Sequence, residues 1–323
     1  MRYDDLNLDN KNILITGGAG FIGSNLAYYF QKYHPNANVV VFDLFDSGGL
    51  GHFQNLINFQ GEVISGDINS LEDISNLKSY KFDYIFHQAA ISDTTMLDQA
   101  LMIKTNVNAF KTFLELAKEI DATLVYASSG AVYGNSAPPQ KVGVESPNNV
   151  YGFSKLMMDN LSFKYLKQYP QMKIVGLRYF NVYGRGEYFK KKTASMVLQL
   201  GLQILNNKAP RLFYNSDKIF RDFVYIEDAI QANILALSAK KSGVYNVGSS
   251  VARSFQDIAD ILQKELNTDL GTDYFKNPYH AYQTHTLADI KDTIKFLNYK
   301  PNFSLESGIK DYIDEIKRIA LDG

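Results

Sequence analysis

The chain has 323 residues, enough for one large domain or two moderate ones. Lys and Arg number 33 against 34 Asp and Glu, a formal charge of -1 with a pI of about 6.5, so no global basic field draws the chain to nucleic acid or to an anionic membrane. Cysteine is absent, which excludes disulfides, thiolate catalysis and Cys-based metal sites.

In chain order, MRYDDLNLDNKN opens the sequence as a polar segment without the apolar core of a signal peptide, and no later stretch is apolar enough to span a bilayer. A cytoplasmic protein is expected. The strand-like run NILIT then enters GGAGFIG and the helical SNLAYYFQKY. Strand, glycine turn and helix in that order define a dinucleotide site. Gly17 permits the tight turn, Gly20 lets the backbone approach a pyrophosphate at the positive end of the helix, and Gly23 lets that helix pack closely. A second strand, NVVVFD, ends on Asp43, whose carboxylate would accept hydrogen bonds from the adenosine ribose. GEVISGDI is a third strand ending near Asp67, a candidate contact for the adenine edge. FDYIFHQAA, DATLVYASS and MKIVGLRYFNVYG read as the fourth, fifth and sixth strands, with helical patterns between them. Strands alternating with helices imply an α/β fold, a Rossmann-type doubly wound parallel sheet. The five His show no HExxH-like pairing, so no metal is expected.

Ser128 and Ser129 close the fifth strand, at the sheet edge where open α/β folds bind ligands. NVYGFSKLMMDN follows, with Tyr151 and Lys155 one helical turn apart. A hydroxyl, a phenol and an ammonium in this arrangement suit hydride transfer, because oxidising an alcohol requires removal of its O–H proton. A Tyr with a pKa of about 10 needs stabilisation of roughly 4 kcal/mol to serve as a base near pH 7. A nearby Lys ammonium and a cationic nicotinamide both favour the phenolate, and the Ser can hold the substrate oxygen.

GGAGFIG, SSGAVYG, YGFSK and RYFNVYG, in that order, resemble the extended short-chain dehydrogenase/reductases that act on nucleotide sugars, and the resemblance covers essentially the whole chain. HQAAISDTT, EYFKKKTASMV, RDFVYIED and AYQTHTLAD narrow it to the epimerases that invert C6 of an ADP-linked heptose. The resemblance implies Ser129, Tyr151 and Lys155 as the catalytic trio and Lys190 as a second acid/base; the residues alone would make Lys190 a solvated charge. It further implies that the cofactor meets Phe21, Ile22, Leu44, Gln88, Ala89, Ala90, Ile91, Ser92, Asn106 and Val182, with Tyr151 and Lys155 beside it. Substrate would meet Ser92, Asn181, Lys192, Gln199, Phe213, Tyr214, Asn215, Ser216, Arg221 and Tyr282, with Arg221 able to clamp a diphosphate. A homo-oligomer acting on an ADP-sugar, with neither nucleic acid nor membrane as partner, completes the expectation.

The chain departs from the family pattern at two places. Arg185 and Gly186 stand before Glu187 where Pro-Arg precedes the Glu, and Tyr214-Asn215 replaces an acidic-glycine pair. The resemblance leans to tightly bound NADP, whereas the segment after Asp43 carries no Lys or Arg suited to a 2′-phosphate and leans to NAD. Residues 1–178 with 223–250 would form the dinucleotide domain, and 179–222 with 251–323 the substrate lobe. Three other readings compete with it, one of them a 4,6-dehydratase, which would place Asp-Glu where Gly130 and Ala131 stand. A UDP-hexose 4-epimerase would share the trio but not the 187–197 pattern, and a cofactor-sensing regulator would not need the trio.

Overall fold

The computed structural model describes residues 1–46, 50–278 and 283–322. Twelve strands appear in it: β1 (Asn12–Thr16), β2 (Asn38–Asp43), β3 (Glu62–Ser65), β4 (Tyr84–His87), β5 (Thr123–Ser129), β6 (Ile174–Tyr179), β7 (Asn181–Tyr183), β8 (Arg211–Phe213), β9 (Phe220–Tyr225), β10 (Gly243–Val247), β11 (Ala252–Ser254) and β12 (Asp273–Phe275). Seven of them form one parallel sheet in the order β3-β2-β1-β4-β5-β6-β10. Because β1 lies between β2 and β4, the strand order reverses there, and ligands in such sheets bind outside the carboxyl ends at the reversal. The Rossmann-type fold read from the sequence is the fold observed.

The strands form where apolar residues run without interruption, as expected of a sheet covered on both faces. Side chains alternate between the two faces. In β1, Ile13 and Ile15 enter the core shared with α1 (Phe21–Tyr33), while Leu14 enters the opposite core. That opposite core takes Ile74 of α2 (Leu71–Leu77). Beyond α3 (Gln99–Met102), it also takes Phe110 and Phe113 of α4 (Ala109–Ile120) and Met158 of α5 (Val150–Gln168). On the first face α6 (Met196–Leu205) and α7 (Ile226–Ala236) contribute Leu200 and Ile230, α8 (Phe255–Leu266) contributes Leu262, and α9 (Lys291–Leu297) and α10 (Leu305–Asp322) contribute Leu297 and Ile316. Among the described residues no helix is long and apolar enough to cross a membrane, and no group of His, Asp and Glu could hold a metal.

MKIVGLRYFNVYG, expected as one strand, is two. Both neighbours of β6 end level with Tyr179, which pairs with Ser129 on one side and Val247 on the other. The chain therefore runs out of partners there. Phe180 donates its N–H to the Val247 carbonyl, and Asn181–Tyr183 pairs instead with β9 in a separate sheet of order β11-β9-β7. VYNVG (244–248) forms most of β10, which pairs with β6 as the edge of the main sheet.

Candidate active site

The glycine turn follows β1 and caps α1. Gly17 has φ +65°, and a Cβ there would lie 2.6 Å from the Ala89 nitrogen. At Gly23 a Cβ would come within 2.2 Å of the Gly17 carbonyl, so the helix packs on the turn itself. Gly20, the N-cap, has no side-chain cap, and a Cβ on it would meet nothing nearer than 3.2 Å. The first-turn amides of α1 thus face an approach that no side chain obstructs, a ready anion site. Asp43 stands beside it: its carboxylate accepts from the Ala19 and Leu44 amides at 2.9 and 2.8 Å. Burial pushes its pKa up, and these bonds work against that. The residues present fit a dinucleotide: α1 for the pyrophosphate and Asp43 for the ribose.

Tyr151 and Lys155 lie on the first turns of α5, whose N-cap Asn149 accepts from the Gly152 amide at 2.7 Å. A Cβ on Gly152 would lie 2.5 Å from the Ala131 carbonyl, so glycine brings the helix close against the Gly130–Tyr133 turn that follows β5. The Ser129 hydroxyl acts on the Tyr151 phenol, and Ser129 Oγ accepts from the Ala131 amide at 3.1 Å. Lys155, only 2% exposed, donates to the Ala127 carbonyl at 2.8 Å, its Nζ 5.8 Å from the centre of the Tyr151 ring. Burial raises the Tyr151 phenol and Ser129 lowers it. Burial lowers Lys155 to about 8, with Asp159 opposing the fall. At neutral pH the lysine carries its charge beside a protonated phenol, ready to favour the phenolate.

The loop carrying Lys190 is docked on α1 rather than solvated. Lys190 Nζ sits 5.3 Å above the Phe21 ring, Phe189 stacks on His52 with centroids 3.8 Å apart, and Asn25 donates to the Arg185 carbonyl at 2.8 Å. Burial lowers Lys190, and Glu187 works the other way. Lys192 reaches Asp93, just past Ser92, at 3.3 Å, and Gln199 donates to the Ala194 carbonyl at 2.6 Å. Asn181 opens β7 exposed to solvent, with Val182 half-buried beside it.

Other expected contacts are arranged differently. Asn106, placed against the cofactor by the resemblance, is fully buried in a short π-helical turn. Its amide is spent on both backbone groups of Ile91 and on Ser154 Oγ, so it positions the 88–92 loop beside α5. The Gln88 amide is engaged by Asn233 and Tyr179. The Asp67 carboxylate closes its own turn by accepting from Asn69. Leu44 is 46% exposed. Arg221 is buried, stacked 5.5 Å over Phe255 and bonded to the Phe220 and Gln283 carbonyls. Its neighbour Asp222 turns away to the amides of Ser249, Ser250 and Ala288. Phe213 meets Phe275 edge-on, Tyr214 stacks on Tyr274 in the open, Asn215 takes a left-handed φ of +61°, and Ser216 is buried against Gln256. Tyr282 lies outside the described residues.

Asp159 and Arg178 went unread in the sequence. The signal was there: Asp159 continues the one-turn spacing of Tyr151 and Lys155, and Arg178 interrupts the apolar run of β6. Both are fully buried and paired.

Residues 13–248 match the NAD dependent epimerase/dehydratase family. The chain belongs to that family, as glycine cradle and Ser-Tyr-Lys trio already indicated. It is 34% identical over 314 residues to the ADP-L-glycero-D-manno-heptose-6-epimerase of Brachyspira hyodysenteriae (strain ATCC 49526 / WA1), covering 95% of this chain and 98% of that protein. The crystal structure of the Helicobacter pylori ADP-L-glycero-D-manno-heptose-6-epimerase superposes with a TM-score of 0.92 at 54% identity, covering 98% and 99% of the two chains. UDP-glucuronic acid 4-epimerase from Bacillus cereus, solved in complex with NAD, gives 0.82 at 29% identity over 96% and 99%.

The buried lysine yields a stability prediction. Its pKa falls from 10.5 unfolded to about 8 folded, so between those values the unfolded chain binds more protons and folding stability rises with pH. The full difference is about 3 kcal/mol, present as a penalty at pH 7. Lys155→Met removes it and forfeits about 1 kcal/mol for the Ala127 carbonyl. Urea unfolding at pH 7 should show the variant more stable by about 2 kcal/mol, the advantage shrinking as pH climbs from 8 to 10.

Proposed function

We infer that the protein inverts C6 of an ADP-linked heptose, converting ADP-D-glycero-D-manno-heptose to ADP-L-glycero-D-manno-heptose for lipopolysaccharide core synthesis. The observation that carries this is the 54% identity and 0.92 TM-score, over nearly the whole chain, to the Helicobacter pylori enzyme of that name. The dinucleotide, when bound, supplies reversible hydride chemistry at that carbon.

This chain's part is proton control. Tyr151, polarised by Lys155 and held by Ser129, and Lys190, from the opposite loop, serve as the two acid/base groups. One removes the hydroxyl proton as the alcohol becomes a 6-keto group. That group turns about the C5–C6 bond, and the other returns a proton to the oxygen in its new direction. Two proton groups suit an oxygen that arrives from two sides. Arg221 would hold the diphosphate. Residues 1–178 with 223–250 would carry the dinucleotide, and 179–222 with 251–323 the sugar nucleotide. The same reading makes the protein a cytoplasmic homo-oligomer.

With ADP-heptose, UDP-glucose and UDP-galactose offered in parallel, only the first should turn over; preference for a UDP-hexose would transfer the assignment to C4 epimerisation. Tyr151→Phe should cut the rate by about 10² to 10⁴-fold with the fold intact. Lys190→Ala should lose a similar amount while retaining cofactor, and full activity in that variant would return Lys190 to a structural role.

Cofactor identity is the finer part of the proposal. The resemblance assigns tightly held NADP. The Asp43 carboxylate, with no Lys or Arg following it before Lys78, would repel a 2′-phosphate unless a cation arrives from elsewhere in the fold. Denaturing the purified protein and identifying the dinucleotide released separates the two: NADP upholds the resemblance, and NAD alone upholds the carboxylate.

A further inference from the structure

Behind the trio lies a buried ionic cluster. Arg178, on β6, is fully buried. Its Nε donates to Asp159 Oδ2 at 2.9 Å, and Nη2 lies 2.9 Å from the same carboxylate. Its Nη1 donates to Glu145 at 2.6 Å and to the Tyr133 hydroxyl at 2.8 Å, and its plane stacks over the Tyr133 ring. Asp159 is fully buried too and accepts from the Tyr126 hydroxyl at 2.8 Å and from Ser128 Oγ at 3.0 Å. One carboxylate therefore grips α5, where Lys155 lies one turn before it, and β5, where Ser129 comes next after Ser128.

The charges in this cluster do not cancel among themselves. Two carboxylates, Asp159 and Glu145, share the single Arg178 guanidinium, and Asp159 lies one turn beyond Lys155 on α5. The other groups around Lys155 add no negative charge at neutral pH. His87 on β4 is kept neutral, burial lowering it to about 3, and Tyr126 and Tyr151 are held protonated by burial. A buried ammonium needs a partner of opposite charge, and an unpaired one deprotonates instead.

We propose that Asp159, locked in place by Arg178, is the positioning residue of the reaction: its carboxylate is the counter-charge that keeps Lys155 an ammonium, and its bond to Ser128 sets the strand end that carries Ser129. Asp159 touches neither substrate nor cofactor and acts through those two residues. Of the groups acting on Lys155, Asp159 is the one that opposes the effect of burial. The proposal rests on the reading of Lys155 as the partner of Tyr151.

The test titrates Lys155 directly, so its outcome does not depend on which sugar nucleotide the enzyme takes. The full-length protein is labelled with [¹³Cε]lysine, and the Lys155 resonance is assigned by its loss in Lys155→Met. Asp159→Asn keeps the shape and most of the hydrogen bonds while removing the charge. The Lys155 midpoint should fall by about one pH unit in this variant. The alkaline limb of kcat should move down with it, while KM stays within about two-fold. Tyr126→Phe removes a bond to Asp159 without changing its charge and should leave the midpoint where it is. If Asp159→Asn does not fold, Asp159→Ser removes the same charge with a smaller polar side chain and should lower the midpoint likewise. An unmoved Lys155 midpoint in a folded Asp159 variant, or an equal shift in Tyr126→Phe, overturns the proposal. A shifted midpoint in a protein inactive on ADP-heptose would instead sustain the proposal and count against the substrate assignment.

Discussion

A charged lysine enclosed by protein is the constraint around which the rest of the site is arranged. Burying an ammonium without partners costs several kcal/mol, so it persists only where the surroundings hold it firmly. Lys155 has the Ala127 carbonyl on one side and the Asp159 carboxylate one turn along the same helix. The first depends on α5 lying close to β5. Gly152 allows that approach, and the Asn149 cap fixes where the helix starts. The same contact brings the Tyr151 phenol to Ser129. The three side chains of the trio are thus consequences of one packing decision between a helix and a strand.

The second element is the loop from Gly184 to Thr193, which carries Lys190. It is anchored on α1 through Asn25 and Phe21, on His52 beyond β2, and on the 88–95 loop through Asp93. Anything that shifts the glycine turn therefore shifts Lys190. The unusual Arg185-Gly186 pair belongs to this anchoring. Arg185 reaches Glu227 at 2.9 Å and Asp311 at 3.6 Å, while Gly186, at φ +89°, donates its amide to Glu315 at 3.0 Å. These contacts run toward α7 and α10. The other departure, at Tyr214, has a different character: its ring is 61% exposed and stacks on Tyr274, an open aromatic surface where the family pattern has a carboxylate.

Local patterns were enough to read the first six strands of the main sheet and the glycine turn, because each is written in a short contiguous segment. What escaped reading depends on pairing across the fold. The break at Phe180 could not be seen in an apolar run whose two halves look alike; it follows from where the neighbouring strands stop. Lys190 looked solvated because its shelter, Phe21, is far away in sequence. Nothing local to Asn106 shows that its amide ties a loop to a helix. Arg178 and Asp159 were visible as letters, but a buried ion pair declares itself only when both partners are known to be inside.

In the proposed reaction one carbon is oxidised and reduced again, with protons handled on oxygen by Tyr151 and Lys190. The fate of the hydrogen on C6 tests it most directly. Turnover of ADP-heptose in deuterated water should invert C6 while leaving that carbon free of deuterium, with no net change in nicotinamide absorbance. Deuterium at C6 in stoichiometric amount would mean that the carbon had lost its proton to solvent next to a carbonyl formed elsewhere on the sugar. That result would contradict direct oxidation at C6 even if both proton groups proved essential.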